Sequence, residues 1–312
     1  MAAIRHLITL ATFCFVLSAQ AQIELPAAWE SSLYSDHPMV GRIWDSKLDQ
    51  FIGVEELLGK IESARYLLLG EKHDNPDHHL LQLTLLEYFL QQQRVSNVAF
   101  EMLNSDQAPL LQQLQTQQIA NLDELKSALE WDDEGWDWPF YGPMLYLVQQ
   151  AGIPIAAANI SDDTMMRVYA EPASAEISAV LDQAAMTQLD KDIDESHCGL
   201  LPQSQFPAMV RVQQTRDNSL AQSLPPAAAD RLSILIAGNY HIRHDLSVPN
   251  YLLSQQAETG REQIVSLAFM EVDPSENSPE PYLQQFGERK AYDFIWFTPS
   301  ISDEDYCASL QQ

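Results

Sequence analysis

Residues 67–89 read LLLGEKHDNPDHHLLQLTLLEYF, and this stretch decides the fold class. An apolar run closes at Gly70. A polar cluster with one Glu, one Lys and three His follows, and a leucine-rich segment begins at Leu80. A short apolar run ended by glycine predicts a buried strand. Asp74 or Asn75 can cap a helix, Pro76 suits its first turn, and Asp77 complements its dipole. The stretch therefore reads as a strand, a polar turn and a helix over 78–93.

Apolar runs of the same kind recur at 95–102, 153–159, 231–239, 263–272 and 291–299, with the first spanning 65–70. Most are apolar on both faces, as buried parallel strands are. Helical patterns fill the intervals, at 107–118, 122–129, 140–151, 175–191, 208–224 and 248–259. This alternation predicts an α/β fold with a largely parallel central sheet flanked by helices on both faces. No strand is expected between about 160 and 230, so that region predicts a helical insertion or cap. Without an internal repeat, long linker or low-complexity block, the expectation is one domain over residues 22–312.

The first 22 residues, MAAIRHLITLATFCFVLSAQAQ, combine one Arg, an apolar stretch from Leu7 to Leu17, and Ala19-Gln20-Ala21. That layout predicts a secretory signal peptide over 1–21, cleaved after about Ala21, and an exported, periplasmic protein. Phe13 before Cys14 argues against lipidation, and no later run reaches the ~18 apolar residues of a membrane span. No stable membrane anchor is expected. Without Arg5 the chain holds 16 basic and 44 acidic residues, a formal charge of −28. Such a surface repels nucleic acid and anionic lipid, so neither is expected as a partner. Cys198 and Cys307 read as a possible disulfide tying the C-terminal tail to the body. No C-x-x-C-H is present, which excludes covalent c-type haem.

Polar clusters fall at four predicted strand ends: Gly70 to His73, Phe100-Glu101-Met102, Asn159 with Asp162 and Asp163, and Gly238 to Asp245. In open α/β sheets the ligand crevice lies outside the carboxyl ends of the strands. Two clusters share the form G-x-x-H, at Gly70…His73 and Gly238…His241. Each glycine is read as letting the chain turn sharply off its strand. Glu71, His73, Glu101 and His241 together suit a divalent metal ion or general acid–base work. His78 and His79 sit in the first turn of a helix and point about 100° apart, so at most one is expected to face the crevice. For either alone the expectation is a solvated surface residue. His197 beside Cys198 reads as a neighbour of a disulfide rather than part of a nucleophilic pair. The block WDDEGWDWPFYGPMLYL (131–147) reads as core and loop packing, or as a pocket wall for a flat apolar ligand. In the second case Tyr141 or Tyr146 is available as an oxygen ligand.

Taken together, LLLGEKHDNPDHHLLQ, VAFEM, AAAN, SHCGLLP, QQTRDNSLA, LIAGNYHIRHDLSVPNYL and DFIWFTP resemble the ChaN-like haem-binding uptake lipoproteins. These belong to a wider group with Tiki/TraB-type metalloproteases and erythromycin-esterase-like proteins. The resemblance runs in order over about 65–300. It implies an α/β sheet with a helical lobe and a role in haem or iron acquisition. It also implies haem, iron protoporphyrin IX, held between two subunits of a homodimer. In the family a Tyr supplies the iron ligand, and His and Lys side chains contact the propionates. On this chain the resemblance implies Lys72, His73, His79, Tyr141, Tyr240, His241 and Arg243 as cofactor-binding residues, with Tyr141 or Tyr240 on the iron. Two departures stand out: the family's lipid anchor is missing, and Tyr240 stands where the family has a small residue. Tyr240 then either ligates the haem or blocks the pocket. The competing expectation is a metal-dependent or acid–base hydrolase using Glu71, His73, Glu101 and His241.

Overall fold

Ten strands follow the chain: β1 (Ile43–Asp45), β2 (Gln50–Ile52), β3 (Tyr66–Glu71), β4 (Val95–Asn104), β5 (Ile155–Asn159), β6 (Leu232–Gly238), β7 (Ile264–Glu271), β8 (Gln285–Phe286), β9 (Arg289–Lys290) and β10 (Phe294–Thr298). They come from a computed structural model that describes residues 23–171, 174–283, 285–286 and 289–310. The expected signal peptide lies outside the described residues. Eight strands form one sheet in the order β2-β1-β10-β7-β3-β6-β4-β5, and β8 and β9 pair separately. The six strands read from the sequence are all parallel, while β1 and β2 add an antiparallel edge. That edge escaped the sequence reading because three residues are too few to show a period.

Helices cover both faces. On one side lie α1 (Val54–Ile61), α2 (Pro76–Gln91), α3 (Ala108–Leu114), α4 (Leu122–Ala128) and α5 (Trp138–Gln150), packed against Leu67, Leu69, Phe100 and Ile236. On the other, α9 (Phe206–Gln222) and α10 (Val248–Gln255) pack against Tyr66, Leu68, Leu235 and Ala237. Alternate residues of one strand thus feed two cores, which is why these strands read as apolar throughout. Each fully buried Leu contributes about 1.5–3 kcal/mol over exposure.

Helix α2 begins as its sequence requires. Asn75 takes the N-cap, its side chain accepting from the Asp77 and His78 amides, and Pro76 fills the first helical position. Buried Asp77 accepts the Glu30 and Ser31 amides and ties the N-terminal segment to this helix. The region between β5 and β6 holds α6 (Asp162–Ala170), α7 (Ala175–Ser178), α8 (Gln183–Ser196) and α9, and no strand among the described residues. One helix was expected over 175–191. Two form there because the Asp182 carboxylate caps the Ala185 amide and starts α8 afresh. Cys198, just past α8, is bonded to Cys307 in α11 (Tyr306–Leu310), with Cα atoms 5.3 Å apart.

Candidate functional site

The sheet order β3-β6-β4 brings together three carboxyl ends that are far apart in sequence. Glu71 pairs in register with Gly238 on β6, and Glu101 reaches the same end from β4, accepting the Gly238 amide at 2.8 Å. A short 3-10 turn, Asn239–Ile242, carries His241 over this end. Both glutamates are buried. An ionised carboxylate in such a place needs partners.

Glu71 has three. The Tyr141 hydroxyl donates to Oε1 at 2.6 Å, His73 Nδ1 lies 3.0 Å from the same oxygen, and His79 Nδ1 lies 3.1 Å from Oε2. Burial alone would raise its pKa. The charge on His79 and the bonds from His73 and His79 outweigh that and hold the carboxyl well below its usual range. His79 Nε2 stands 2.9 Å from the His73 carbonyl, which can only accept. Both His79 nitrogens therefore face acceptors, and despite burial Glu71 raises its pKa. Phe140 stacks on the ring at 4.5 Å.

Glu101 has its own set. His241 Nε2 is 3.3 Å from Oε1, while His241 Nδ1 is 2.6 Å from Asp217 Oδ1 on α9. Burial would lower the His241 pKa, but the two flanking carboxylates raise it to about 10. Burial would raise Glu101, and His241 and the Gly238 amide bring it down to about 2. Burial dominates for Asp217, which is raised.

His73 alone among these imidazoles is well exposed, at 44% of its side chain. Because Glu71 can only accept, His73 Nδ1 carries the proton of that bond, and Nε2 is turned over Gly238. A Cβ at position 238 would meet His73 Nε2 at 2.9 Å, and one at position 70 would collide with Asn239 Oδ1 and meet Ile242 Cδ1 at 2.5 Å. The two motif glycines are thus required by close approach, not by the sharp turn the sequence suggested. Gly238 has an extended backbone that any residue could adopt, with φ −60° and ψ 148°.

The expectation that His78 and His79 are surface residues is overturned: they are 0% and 4% exposed. His78 Nδ1 accepts the Lys72 amide at 2.9 Å and Nε2 meets Thr298 Oγ1 at 2.9 Å, so it is a structural strut. Burial brings its pKa down to about 3. Lys72 is exposed at the rim, 3.0 Å from Glu271 and 3.5 Å from Asp74. Arg243 is buried and forms a two-pronged pair with Asp245, at 2.9 and 2.8 Å. Tyr240 donates to Asp192 at 2.8 Å, beneath the Arg243 guanidinium at 5.2 Å. Burial and Asp192 push its phenol up, as burial and Glu71 push that of Tyr141.

A cleft of about 510 Å³ opens here, lined among others by Lys72, His73, Tyr240, His241, Phe269 and Tyr292. Tyr141 is buried behind Glu71 and does not line it. Trp136, from the aromatic block, meets the His73 ring edge-on at 5.0 Å. The third strand end does not join: Asn159 accepts the Ile160 amide, and Asp162 and Asp163 are exposed in the first turn of α6. A larger hollow of about 910 Å³ lies at the opposite end of the sheet, beside Tyr88, Arg94 and Arg231, far from these pairs. Among the described residues, no three His, Cys, Asp or Glu side chains converge to hold a metal ion. The four residues expected to do so are instead paired carboxylate to imidazole. Asp217 was missed by the sequence reading. The signal for it is a carboxylate within the stripe Val210, Gln214, Asp217, Ala221, where the i, i+3, i+4 spacing places one helix face.

The family model described as haem-binding uptake, Tiki superfamily, ChaN matches residues 57–252. The chain belongs to this family. ChaN of Campylobacter jejuni, solved with cofacial heme binding, aligns at 24% identity with a TM-score of 0.64, over 81% of this chain and 95% of that one. That likeness shows the ChaN fold. A mutant erythromycin esterase, EreC, in its open conformation aligns at 15% identity and a TM-score of 0.41, over 70% of this chain and 72% of that one. The RRSP effector domain of a Vibrio vulnificus MARTX toxin aligns at 14% and 0.40, over 81% and 41%. No curated protein sequence matches the chain. No helix among the described residues of this ChaN-family chain is long and apolar enough to cross a membrane.

Proposed function

We propose that the protein is an exported, periplasmic haem-binding protein of haem uptake, acting as a homodimer, with haem seated in the cleft at the carboxyl ends of β3, β6 and β7. The observation that carries this reading is His73. An exposed imidazole held by a buried carboxylate through Nδ1–H leaves Nε2, over Gly238 at the end of β6, as the donor atom, the hydrogen-bonding pattern that metal-ligating histidines adopt. Haem iron takes His or Tyr as an axial ligand, and its faces favour aromatic surroundings. Of the two tyrosines the sequence offers for the iron, Tyr240 lines the cleft and Tyr141 does not, so Tyr240 is the phenol we assign to the iron, with His73 as the neighbouring donor. Phe269 and Tyr292 supply apolar wall. Lys72 at the rim suits a propionate, and His241 and His79 hold the carboxylates that position the site. Arg243 acts through Tyr240, since its guanidinium is turned to Asp245 and, at 3.6 Å, to Asp192. Export is supported by the Cys198–Cys307 bond, because disulfides persist in oxidising compartments.

Titration of the apo-protein with haemin tests this. A saturable Soret shift that is lost in His73→Ala or displaced in Tyr240→Phe is the expected result; no shift overturns the proposal. A second reading rests on a different observation. The pair Glu71–His73 and the chain Asp217–His241–Glu101 face one cleft, an arrangement suited to acid–base hydrolysis. Stoichiometric Zn, Mn or Co in protein purified without chelator, with no haemin binding, would favour it.

A further inference from the structure

Tyr240, Tyr282 and Tyr292 all line the cleft, and each is held differently. Tyr292 is buried, with its hydroxyl 3.3 Å from the Asn239 carbonyl. Tyr240 gives its hydroxyl to Asp192 and lies beneath the Arg243 guanidinium. Tyr282 is half-buried, and its hydroxyl accepts the Asp273 amide at 2.6 Å. The family model ends at residue 252, so the wall built by Phe269, Tyr282 and Tyr292 lies beyond what that model matches.

The Tyr282 ring is fixed at two ends. Its hydroxyl bond crosses the base of the loop that leaves β7, because Val272 still donates to the Thr298 carbonyl of β10 and Asp273 is the next residue. At the other end the ring meets buried Phe297 edge-on, with centroids 5.1 Å apart and planes at 78°. A 3-10 turn, Glu280–Tyr282, sets the backbone, and the Tyr282 amide donates to the Pro279 carbonyl at 3.0 Å. A ring held this way has little freedom left to lose when a ligand settles against it. Tyrosine also offers wide contact area at low entropic cost.

We propose that Tyr282 is the face-contact residue of the cleft, holding the macrocycle of a flat tetrapyrrole whether or not a metal sits at its centre. The assignment rests on the reading of the cleft as a haem site and adds a ligand class to it, the metal-free porphyrin. Two kinds of contact are then separable. His73 and Tyr240 offer donor atoms, which need a metal to act on. Tyr282 offers a ring, and a ring meets the porphyrin π-system through offset or edge-on packing that needs no metal. Phe269, on the same wall, adds apolar surface to that contact.

Fluorescence titration of the full chain with metal-free protoporphyrin IX, run beside the haemin titration, tests this. Tyr282→Leu keeps an apolar side chain against Phe297 but removes the ring, and should weaken both ligands about tenfold. Tyr282→Phe keeps the ring and should bind both close to wild type, while His73→Ala should weaken haemin far more than protoporphyrin. Protoporphyrin binding that survives Tyr282→Leu, or that Tyr282→Phe also loses, overturns the assignment and leaves the haem reading standing. So does haemin binding without protoporphyrin binding. Protoporphyrin binding lost in Tyr282→Leu, with haemin indifferent to His73→Ala, supports the assignment and removes His73 as the iron donor. Binding of neither ligand overturns both. Hydroxyl-radical footprinting of the wild-type chain is the second measurement, and it needs no variant to fold: protoporphyrin should protect Tyr282, and undiminished oxidation overturns the assignment.

Discussion

His73 rests on Gly238: a Cβ at position 238 would lie 2.9 Å from both His73 Nε2 and Cε1. The end of β6 therefore shapes the exposed imidazole at the end of β3, although the two residues are 165 positions apart in sequence. Gly238→Ala should swing the His73 ring off its Glu71 bond. Overpacking of this kind costs about 1–3 kcal/mol. Haemin affinity, read from Soret titration, should fall about tenfold, or 1.4 kcal/mol, while circular dichroism stays native. Unchanged affinity would show that the ring position is irrelevant to binding.

His73 and His78 should separate cleanly. Exposed His73 can be replaced by Ala with little loss of stability. His78→Ala orphans the Lys72 amide and leaves a cavity, and an unsatisfied buried donor costs roughly 1–3 kcal/mol. Urea denaturation should show a lower midpoint for His78→Ala and a near-native one for His73→Ala. The reverse ranking would contradict the burial pattern.

Stability should peak near pH 6.5. His241 stands at about 10 in the folded state against an ordinary 6.5, so its contribution is full below pH 6.5 and is lost as pH rises through 10. His78 stands at about 3 against 6.5. As a neutral buried base it contributes fully above pH 6.5 and loses that as pH falls through 3. Glu101, at about 2 against 4.5, adds a further loss below pH 4.5. Denaturant midpoints across pH 3–10 should trace this dome, and His241→Gln should flatten its alkaline limb. An alkaline limb that survives in that variant would remove His241 as its cause.

The Cys198–Cys307 bond joins residues 109 apart, so its loss should be costly. Cys307→Ser, or reduction under native conditions, should destabilise the chain by about 2–5 kcal/mol. Calorimetry measures this. A midpoint within error of wild type would mean that the tail is held without the bond.

Much of this architecture was legible in residues alone. The six parallel strands and most helices follow from local periodicity, and the cap at Asn75-Pro76 follows from side-chain chemistry within a few residues. The site was legible only in part. His73, Glu71, Glu101 and His241 stand out as polar groups at strand ends, but the role of His78 depends on Thr298, some 220 residues away. Asp217 lies within the motif QQTRDNSLA, which does not show its role, and becomes significant only when α9 packs over β6 and sets it 2.6 Å from His241.

The amino-acid sequence by itself determined the order of strands and helices and placed polar clusters at the strand ends, because hydrophobic periodicity is a local property. The tertiary structure decided which imidazole meets which carboxylate. Strand order in the sheet is not strand order in the chain: β6 inserts between β3 and β4, and only that adjacency turns two separate G-x-x-H motifs into one site.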